Sequence, residues 1–505
     1  MSTSARFVTI LFVAVTAVAC SGKKKEAATE KASGAATATG ATGGSAATAE
    51  PRVAPPAKPL PGLAEATAGG TGKVAWVTSF GGVKVDTARR LTVGPDGSLY
   101  LVGDFEDAAT FGALGEKTAV GKSDAFVAKM DGSGAFQWVT TIGGKNEERG
   151  DAVAVDASGN VAFVGLYSDT ATAGGLSGKA EGSDDLFVVM TDARGEVQWL
   201  WDTGGLASDA GTAVAAAGDG GWIVAASFGQ KVKFGDTELA ARGMEDAALV
   251  KLSSEGAVVW VTHVGGEYPD EITHLDVDAS GNIYALGRFK GSLELGGTTM
   301  QSAGDDDLYV AKFDSVGNPT WSTRIGNAFQ ERGGGLAVDQ AGNIVVVGSF
   351  DKDLDFLGTP VLSRGESDAF VARIAPDGKL LWVKTYGGER ADAAYGVDVD
   401  AAGNIVVAGG FETRIDLGGG VYKTAGYMDG FFLKLDPGGA HVWSRRWGGK
   451  DQDVGLAVAA LPEGDVFAAG AYRYTLDLAA GGPTAVQAEG AKLMKPDAFV
   501  ARLER

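Results

Sequence analysis

Acidic residues return at two fixed positions of a long internal repeat, and their side chains are the ones best suited to bind a ligand. The first position is the fifth residue after the first glycine of a recurring pair, and it holds Asp86, Glu148, Asp209, Asp270, Glu331, Asp392 and Asp453. The second position opens a short apolar run and holds Asp124, Asp185, Asp246, Asp307, Asp368, Asp429 and Asp497. We name these the first and second acid sets. Carboxylate oxygens bind hard cations such as Ca²⁺, and they also accept backbone N–H bonds in loops.

Both roles are open for the acid sets. Two exposed like charges about 10 Å apart repel by only about 0.4 kcal/mol in water, so repulsion does not demand a metal. An acid in every copy favours the structural role, because a binding site usually differs between copies. Residues 276–281 partly match the start of an EF-hand loop, but Gly287 stands where the bidentate glutamate belongs. That segment therefore predicts a hairpin turn.

No other group of residues predicts catalysis. The three histidines, His263, His274 and His441, fit no zinc spacing and no cysteine accompanies them. No glycine-rich phosphate loop opens a helix, and no nucleophile elbow is present. A glycosidase needs two carboxyl groups, yet equivalent pairs recur in every copy and none stands apart. We therefore expect no enzymatic activity and no cofactor other than Ca²⁺.

A recurring tryptophan defines the elements that must position these acids. It returns every 61 or 62 residues, as Trp76, Trp138, Trp199, Trp260, Trp321, Trp382 and Trp443. A fixed period of this length predicts one supersecondary unit copied many times. Within residues 333–388, apolar runs are separated by turn sequences such as Pro376-Asp377-Gly378, which is typical of two hairpins. Each unit therefore predicts four short antiparallel strands, which we name a, b, c and d.

These units predict an all-β protein, a seven-bladed β-propeller. Strands that are apolar on both faces need cover on both sides, and radial stacking of four-stranded sheets supplies it. Seven a–b–c sets lie between Ala88 and Leu503, while a lone strand d surrounds Trp76 and the last copy lacks a strand d of its own. We expect the N-terminal strand to complete the last blade, and the tryptophans to pack between adjacent blades.

The same topology predicts where the charged residues lie on the disc. Strands a and c run in the same direction, so both acid sets should lie toward one face. Five residues after the second acid, six copies carry a base that should lie toward the opposite face: Lys129, Lys251, Lys312, Arg373, Lys434 and Arg502. Met190 occupies this position in the remaining copy.

One copy of the repeat contains Gly342-Asn343-Ile344, then Asp368-Ala369-Phe370-Val371-Ala372, then Trp382. This pattern resembles the SBBP family of seven-bladed β-propeller repeats over roughly residues 73–505. The resemblance implies a propeller fold, but no settled activity and no catalytic residues. The segment from Pro376 to Trp382 is also similar to PQQ-repeat propellers, which include quinoprotein dehydrogenases and outer-membrane assembly scaffolds. Their blades are generally shorter than 61 residues.

The N-terminal residues are predicted to lie outside the fold. Arg6, the apolar run 7–18 and the small residues before Cys20 form a signal-peptide pattern over residues 1–19. Cys20, the only cysteine, resembles the lipidated residue of bacterial lipoproteins, and Ser21 is similar to the outer-membrane default. An ordinary cleaved signal is the alternative. Residues 20–72 contain few large apolar side chains and predict a disordered tether.

Charge and loop composition limit the partners. With 44 basic and 64 acidic residues the formal net charge is −20, and no basic stripe predicts binding to nucleic acid. The variable b–c connections should emerge on the acidic face, where loops on a rigid scaffold commonly carry recognition. Candidate ligand contacts there are Trp201, Trp222, Tyr268, Tyr472 and Tyr474, beside an insertion at residues 488–496.

The sequence thus predicts an outer-membrane lipoprotein, facing the periplasm or the exterior. We expect it to recognise a protein or glycan of the cell envelope through a loop-rich acidic face. A scaffold within an outer-membrane assembly machine is the first alternative, and an enzyme acting on polysaccharide is the second.

Overall fold

The computed structural model describes residues 72–82, 84–473, 475–476, 478, 486–487 and 497–505. These residues form seven four-stranded antiparallel sheets around a central channel, which confirms the predicted propeller. The predicted signal peptide, Cys20 and all of the tether except Gly72 lie outside the described residues. Within them, the one helical segment is a three-residue 3₁₀ turn, Gly112–Leu114.

The two inner strands of each blade, a and b, follow one another along the chain in the order that the sequence predicts. Strand a lines the channel in blades 1 to 7 as Asp86–Val93, Glu148–Val155, Ala210–Ala216, Glu271–Val277, Glu331–Val338, Asp392–Val399 and Val454–Ala460. Strand b follows as Leu99–Thr110, Val161–Tyr167, Trp222–Phe234, Ile283–Phe289, Ile344–Phe350, Ile405–Asp416 and Val466–Tyr472.

The two outer strands complete each sheet. Strand c spans Glu116–Met130, Asp185–Thr191, Thr237–Leu252, Asp307–Phe313, Asp368–Ile374, Val421–Leu435 and Asp497–Leu503. Strand d spans Phe136–Gly144, Val197–Thr203, Val258–Gly266, Pro319–Ile325, Leu380–Tyr386, His441–Trp447 and, for blade 7, Val74–Phe80.

An additional β-hairpin forms each b–c connection. In blades 1, 3 and 6 it continues strands b and c. In blades 2, 4, 5 and 7 it is a separate pair: Thr170–Ala173 with Leu176–Lys179, Ser292–Leu295 with Thr298–Gln301, Leu354–Phe356 with Thr359–Val361, and Thr475–Leu476 with Val486–Gln487. The hairpins of blades 2 and 4 pair with strand d of the preceding blade.

The N-terminal strand closes the ring. Trp76 to Phe80 pair antiparallel with Arg502 to Ala498, so strand d of blade 7 comes from the start of the fold. Gly72 N–H also donates to Glu504 O at 2.6 Å, and Glu504 N–H donates to Lys73 O at 2.8 Å. The predicted closure is confirmed.

The hydrophobic core lies between adjacent blades. Val164 and Leu186 of blade 2, for example, pack with Val224 and Ala248 of blade 3, and all four are fully buried. Burying a valine or leucine side chain contributes roughly 1.5–3 kcal/mol. Because each sheet buries both faces against its neighbours, the strands carry continuous apolar runs rather than alternating ones.

The repeated tryptophans join each blade to the next. Trp321 Nε1–H of blade 4 donates to Pro376 O at 3.0 Å in the c–d turn of blade 5, and Trp199 Nε1–H makes the equivalent bond to Ser254 O at 2.8 Å. The indole ring covers the turn glycine of that next blade, as Trp321 covers Gly378. The predicted packing of the tryptophans between blades is confirmed.

Candidate functional site

Both acid sets lie at the same edge of the blades, where strands a and c begin. At four junctions the residue just before the second-set acid forms an isolated parallel bridge to the residue just before the first-set acid of the next blade, as in Ser123 with Glu147 and Ser367 with Ala391. Each second-set acid therefore lies beside the first-set acid of the following blade, and seven carboxyl pairs mark the seven junctions.

These carboxyl groups are buried inside the junctions, not displayed on the surface. All fourteen side chains are almost completely buried. The prediction that these acids form an exposed recognition face is therefore wrong, because the loop after strand d and the b–c hairpin fold over the carboxylates. The pairing of the strands into sheets brings both loops over the acids. The spacing of residues along the chain does not predict this position for either loop.

Twelve of the fourteen acids accept a hydrogen bond from the backbone N–H four residues earlier. In the first set, Gly82 N–H donates to Asp86 Oδ2 at 2.8 Å and Gly388 N–H donates to Asp392 Oδ2 at 2.7 Å. In the second set, Val120 N–H donates to Asp124 Oδ1 at 3.0 Å and Ala425 N–H donates to Asp429 Oδ2 at 2.9 Å. The acids thus hold the turns of both loops, which is the structural role that the sequence favoured.

The close packing around these carboxyl groups requires the glycine pairs, because it leaves no room for a side chain. A Cβ at Gly387 would lie 1.8 Å from Asp368 Oδ1 and 3.0 Å from Asp392 Oδ2, so both carboxyl groups of the junction flank the first glycine. A Cβ at the second glycine, Gly388, would lie 2.3 Å from Arg414 O in the b–c hairpin of the next blade. The pair allows close approach of both the carboxyl groups and the hairpin backbone.

Burial raises the pKa of every carboxyl group in the first set. The pKa rises to about 8 at Asp86 and Asp392 and to about 6 at Asp209, and the hydrogen bond from the backbone N–H only partly opposes the effect of burial. The neighbouring second-set carboxyl group adds to the rise, as Asp368 does for Asp392. A proton held by the pair removes one of two buried negative charges.

Three junctions contain a cationic or ionisable base as well. Two residues before the first glycine, strand d supplies His263, Arg324 or Arg446. His263 Nε2 lies 2.6 Å from Asp246 Oδ2, Arg324 Nη1 lies 2.7 Å from Asp307 Oδ2, and Arg446 Nε lies 2.6 Å from Asp429 Oδ2. The other four junctions have Ser79, Thr141, Asp202 and Thr385 at this position.

The bases at the far end of strand c contact the opposite face, as predicted. Five of the six form an ion pair with the a–b turn: Lys129 Nζ lies 2.8 Å from Asp96 Oδ2, Lys434 Nζ lies 2.9 Å from Asp400 Oδ2, and Arg373 pairs with Asp339. The segment 276–281 forms an a–b turn of this kind, in which Ser280 and Asn282 N–H donate to Asp278 Oδ1. Its prediction as a hairpin turn is confirmed.

Among the described residues, no group of three or more histidine, cysteine, aspartate or glutamate side chains is placed to hold a metal ion. The histidines also lie apart. His263 contacts Asp246, His441 Nε2 lies 3.0 Å from Ser444 Oγ, and His274 faces Arg90 in the channel.

The four predicted aromatic ligand contacts that the structure describes divide into three groups. Trp222 and Tyr472 are fully buried in the core, which removes them from any recognition surface. Trp201 is half-buried and packs against Phe234 with ring centroids 6.5 Å apart. Tyr268 is exposed on the loop after strand d of blade 3. Tyr474 and the insertion 488–496 lie outside the described residues.

Comparison between the copies of the repeat explains why Trp222 and Tyr472 are buried. Trp222 opens strand b, where the other copies have Leu99, Val161, Ile283, Ile344, Ile405 and Val466. Tyr472 is the seventh residue of strand b, where the equivalents are Phe105, Tyr167, Phe228, Phe289, Phe350 and Phe411. Both residues therefore occupy regular core positions.

Three further apolar side chains, which sequence reasoning missed, are exposed near Tyr268. Leu206, Met244, Tyr268 and Phe329 are 76%, 69%, 43% and 50% exposed, and we name these four residues the apolar arc. Leu206, Tyr268 and Phe329 belong to the three loops that follow strand d of blades 2, 3 and 4, and Met244 precedes Asp246 in blade 3. All four therefore lie on the face that covers the acid sets.

Close backbone contacts connect the loops of the apolar arc. A Cβ at Gly229 would lie 2.6 Å from Ala207 Cβ and 3.6 Å from Met244 O. A Cβ at Gly243 would lie 2.3 Å from Glu267 O, next to Tyr268. Blade 4 is joined in the same way, because a Cβ at Gly291 would lie 2.7 Å from Tyr268 Cδ2 and a Cβ at Gly304 would lie 2.5 Å from Ala328, next to Phe329. The loops of blades 2, 3 and 4 thus form one continuous surface. In the corresponding loops of other blades the exposed positions carry Lys145, Glu389 and Lys450.

No family model matches the chain. It is 27% identical over 403 residues to the regulatory protein FlaEY of Caulobacter vibrioides, a match that covers 73% of this chain and 41% of the relative. It is 24% identical over 199 residues to the uncharacterized WD repeat-containing protein L264 of Acanthamoeba polyphaga mimivirus, covering 33% of this chain and 14% of the relative. The chain spans less than half the length of these curated relatives.

Two solved structures are similar at low identity. The WD40 domain of Neurospora crassa Pan2 is 12% identical, with a TM-score of 0.41 over 86% of this chain and 98% of that domain. A calcium-binding protein, regucalcin, from Agrobacterium tumefaciens is 10% identical, with a TM-score of 0.33 over 70% of this chain and 90% of its own. Within the described part of the chain, no helix has the length and apolar character needed to cross a bilayer.

Proposed function

We propose that this protein is a lipid-anchored, non-catalytic β-propeller that binds a protein partner through the apolar arc. The observation that carries the proposal is the exposure of Leu206, Met244, Tyr268 and Phe329 on adjoining loops of a closed ring. Exposed apolar residues that are contiguous, unlike scattered ones, mark interaction surfaces. Aromatic residues and methionine are also enriched in protein interfaces.

The arc breaks the symmetry of the propeller, as a specific site should. Val120 and Tyr427 are exposed on the same face, but the loops beside them carry Lys145 and Lys450. Among the described residues, it is in blades 2 to 4 that three consecutive loops after strand d each carry a large exposed apolar side chain. Their backbone is fixed by buried acids such as Asp209 and Glu331, so little ordering entropy is lost on binding.

Charges around the arc favour a basic partner. Three of the nearby bases are already paired: Arg242 with Glu294 at 3.4 Å, Lys290 with Asp305 at 2.5 Å, and Arg332 with Asp351 at 2.9 Å. Glu267, next to Tyr268, is exposed, and no base among the described residues forms an ion pair with it. A partner segment with apolar side chains flanked by Lys or Arg would complement this surface.

A protein suits the arc better than a glycan does. Leu206 and Met244 offer flexible aliphatic surface, whereas sugar recognition depends on flat aromatic faces and many polar groups. The similarity to a relative named as a regulatory protein supports a binding role. The proposal of no enzymatic activity rests on the repetition of the carboxyl pairs, because seven equivalent junctions single out none.

The proposed anchor rests on the sequence around Cys20. Its lipid chains would tether the propeller to the outer membrane through residues 21–71. The proposed anchor is compatible with a propeller that faces the periplasm and with one that faces the exterior. In either case the partner would bind the apolar arc, whether it is a component of an assembly machine or another envelope protein.

Site-specific photocrosslinking in the native cell envelope tests the proposal. A benzophenone amino acid replaces Met244 or Tyr268, and the matched control replaces Val259, which is 59% exposed on strand d of the same blade near the opposite face. We expect the same discrete protein adduct from both arc positions, its loss on adding Leu206→Glu, and no such adduct from Val259. An equal adduct from Val259, or adducts to glycan alone, would contradict the proposal.

Calcium binding by the acid sets stays a prediction. Titration calorimetry with CaCl₂ and the purified full chain separates the two roles. Saturable heat and a rise in Tm would establish a metal role, whereas no heat and an unchanged Tm would leave only the structural role.

A further inference from the structure

The seven inner strands enclose a central channel with a volume of about 360 Å³. Four residues after each first-set acid, strand a places one residue beside this channel, directly after a β-bulge. In five blades that residue is small: Ala152, Ala213, Gly335, Gly396 and Ala457. In blades 1 and 4 it is Arg90 and His274. The two large side chains at this position are therefore exceptions to the repeat.

Arg90 and His274 meet across the channel. Blades 1 and 4 stand on opposite sides of the ring, yet Arg90 Nη2 lies 2.7 Å from His274 Nε2. A guanidinium group can only donate, so Nε2 accepts, and the proton of the imidazole lies on Nδ1, which is 3.0 Å from Thr273 Oγ1. Burial, together with the charge of Arg90, lowers the pKa of His274 well below its ordinary value. The histidine is therefore neutral in this pair.

The guanidinium group of Arg90 has no carboxylate in direct contact, and Asp151 of the next blade stabilises its charge only at longer range. Apart from His274, its guanidinium donates to Arg89 O at 3.4 Å, and no carboxylate oxygen of the described residues lies within ion-pair distance. Neighbouring arginines differ: Arg89 Nε lies 2.8 Å from Asp104 Oδ1, and Arg149 Nη2 lies 2.9 Å from Asp151 Oδ2. A charge removed from bulk water without a partner is costly, and several of the five guanidinium donors are left for a ligand.

We propose that the channel binds a small oxyanion, a carboxylate or a phosphate, at the guanidinium group of Arg90. Arginine recognises both through paired N–H donors, and the bond is stronger than one between neutral groups. One water occupies about 30 Å³ in the liquid, so the channel has room for a small organic acid or a phosphate.

The far end of the channel limits the size and charge of the ligand. Asp276 and Asp398 line it, and each accepts a backbone N–H bond from another blade: Val338 N–H to Asp276 at 2.8 Å and Ala460 N–H to Asp398 at 2.7 Å. Their carboxyl oxygens face other blades and would repel an extended polyanion. A compact anion next to Arg90 avoids them.

Titration calorimetry of the full chain with phosphate and, separately, acetate tests the site. We expect saturable binding of at least one anion with one site per chain. The anion that binds more tightly identifies the ligand class as phosphate or carboxylate. Arg90→Gln should weaken it at least tenfold. The matched control Arg194→Gln removes the same charge from an exposed c–d turn and should leave the affinity unchanged. No saturable binding of either anion, or equal weakening by both variants, would overturn the proposal.

A second measurement remains decisive if Arg90→Gln fails to fold. Crystals of the unaltered chain soaked in selenate report the anion position through anomalous scattering. Selenium density within hydrogen-bond distance of Arg90 would support the site, and density confined to the outer surface would overturn it.

Discussion

Gly72 lies against the indole ring of Trp443, where a Cβ would come within 2.8 Å of Trp443 Cδ2. In every other blade the turn glycine four residues before the strand d tryptophan covers the tryptophan of the preceding blade, as Gly378 covers Trp321. Gly72 stands four residues before Trp76 and makes the same contact across the closure. The N-terminal segment therefore reproduces the side-chain packing of the repeat as well as its hydrogen bonds.

Gly72→Ala should lower the free energy of unfolding by more than backbone strain alone accounts for. Gly72 has φ of +90°, and Gly115, with φ of +81°, has no atom within 4 Å of its Cβ position. Both alanine variants incur a backbone penalty of roughly 1–3 kcal/mol. Only Gly72→Ala also displaces Trp443, at a further cost of about 1–3 kcal/mol. Urea unfolding of the two variants measures the difference, and equal losses would contradict the packing described.

The buried acids should make the protein more stable at low than at high pH. Burial raises the pKa of Asp86, Asp270, Glu331 and Asp392 to about 8, far above their ordinary values. The folded state therefore holds these protons more tightly than the unfolded chain does. Their contribution is complete below a pH of about 4 and is lost as the pH rises through about 8. Calorimetric scans should show Tm falling between pH of about 5 and about 9.

Asp392→Asn is the matched control for this pH dependence. The amide oxygen still accepts the N–H of Gly388, and the side chain does not ionise. The fall in Tm with pH should be shallower in this variant than in the unaltered chain. A Tm that rises over the same range, or a slope unchanged by Asp392→Asn, would be incompatible with protonated carboxyl groups in the junctions.

Lys434→Met should be strongly destabilising, although methionine fits the position. Lys434 Nζ lies 2.9 Å from Asp400 Oδ2 and donates to Gly464 O at 2.7 Å, and both side chains are buried. Removing the ammonium leaves the carboxylate of Asp400 buried without its cation, which costs about 3–5 kcal/mol. Met190 occupies the equivalent position of blade 2, so the loss is electrostatic rather than steric.

Lys231→Met supplies the comparison for Lys434→Met. Lys231 forms an exposed pair with Glu238 at 2.8 Å, and its loss should leave the urea midpoint almost unchanged. If the two substitutions lower the midpoint equally, the pair between Lys434 and Asp400 does not contribute as the structure indicates.

The sequence predicts the fold well because each prediction depends on a repeated pattern. The period of the tryptophans sets the blades, and the lone strand around Trp76 predicts the closure. The burial of the acids could not be predicted, since it follows from contact between two loops of different blades, as between Gly388 and Arg414. Spacing along the chain contains no information on that approach.

The candidate sites are visible in the sequence only as departures from the repeat. Leu206 and Phe329 stand where most other copies have charged or polar residues, and Arg90 stands where most copies have alanine or glycine. Tyr268 was predicted because it is aromatic, and the same criterion wrongly included Trp222 and Tyr472. Residue type alone does not separate core from surface, whereas comparison between copies does.

Disulfide trapping of the closure tests the central claim most directly, because every assignment of a residue to a face depends on it. Thr78 and Val500 are directly opposite in the closing strand pair, where Cβ atoms of antiparallel neighbours lie about 4.5–5.5 Å apart. The variant carries Thr78→Cys and Val500→Cys with Cys20→Ser. The control carries Thr140→Cys, at the equivalent position on strand d of blade 1, together with Val500→Cys and Cys20→Ser.

After mild oxidation we predict complete formation of an intramolecular disulfide in the Thr78 and Val500 pair and none in the control, as read by electrophoretic mobility and intact mass. Disulfide-linked dimers only, or equal bridging in the control, would contradict a ring closed by the N-terminal strand.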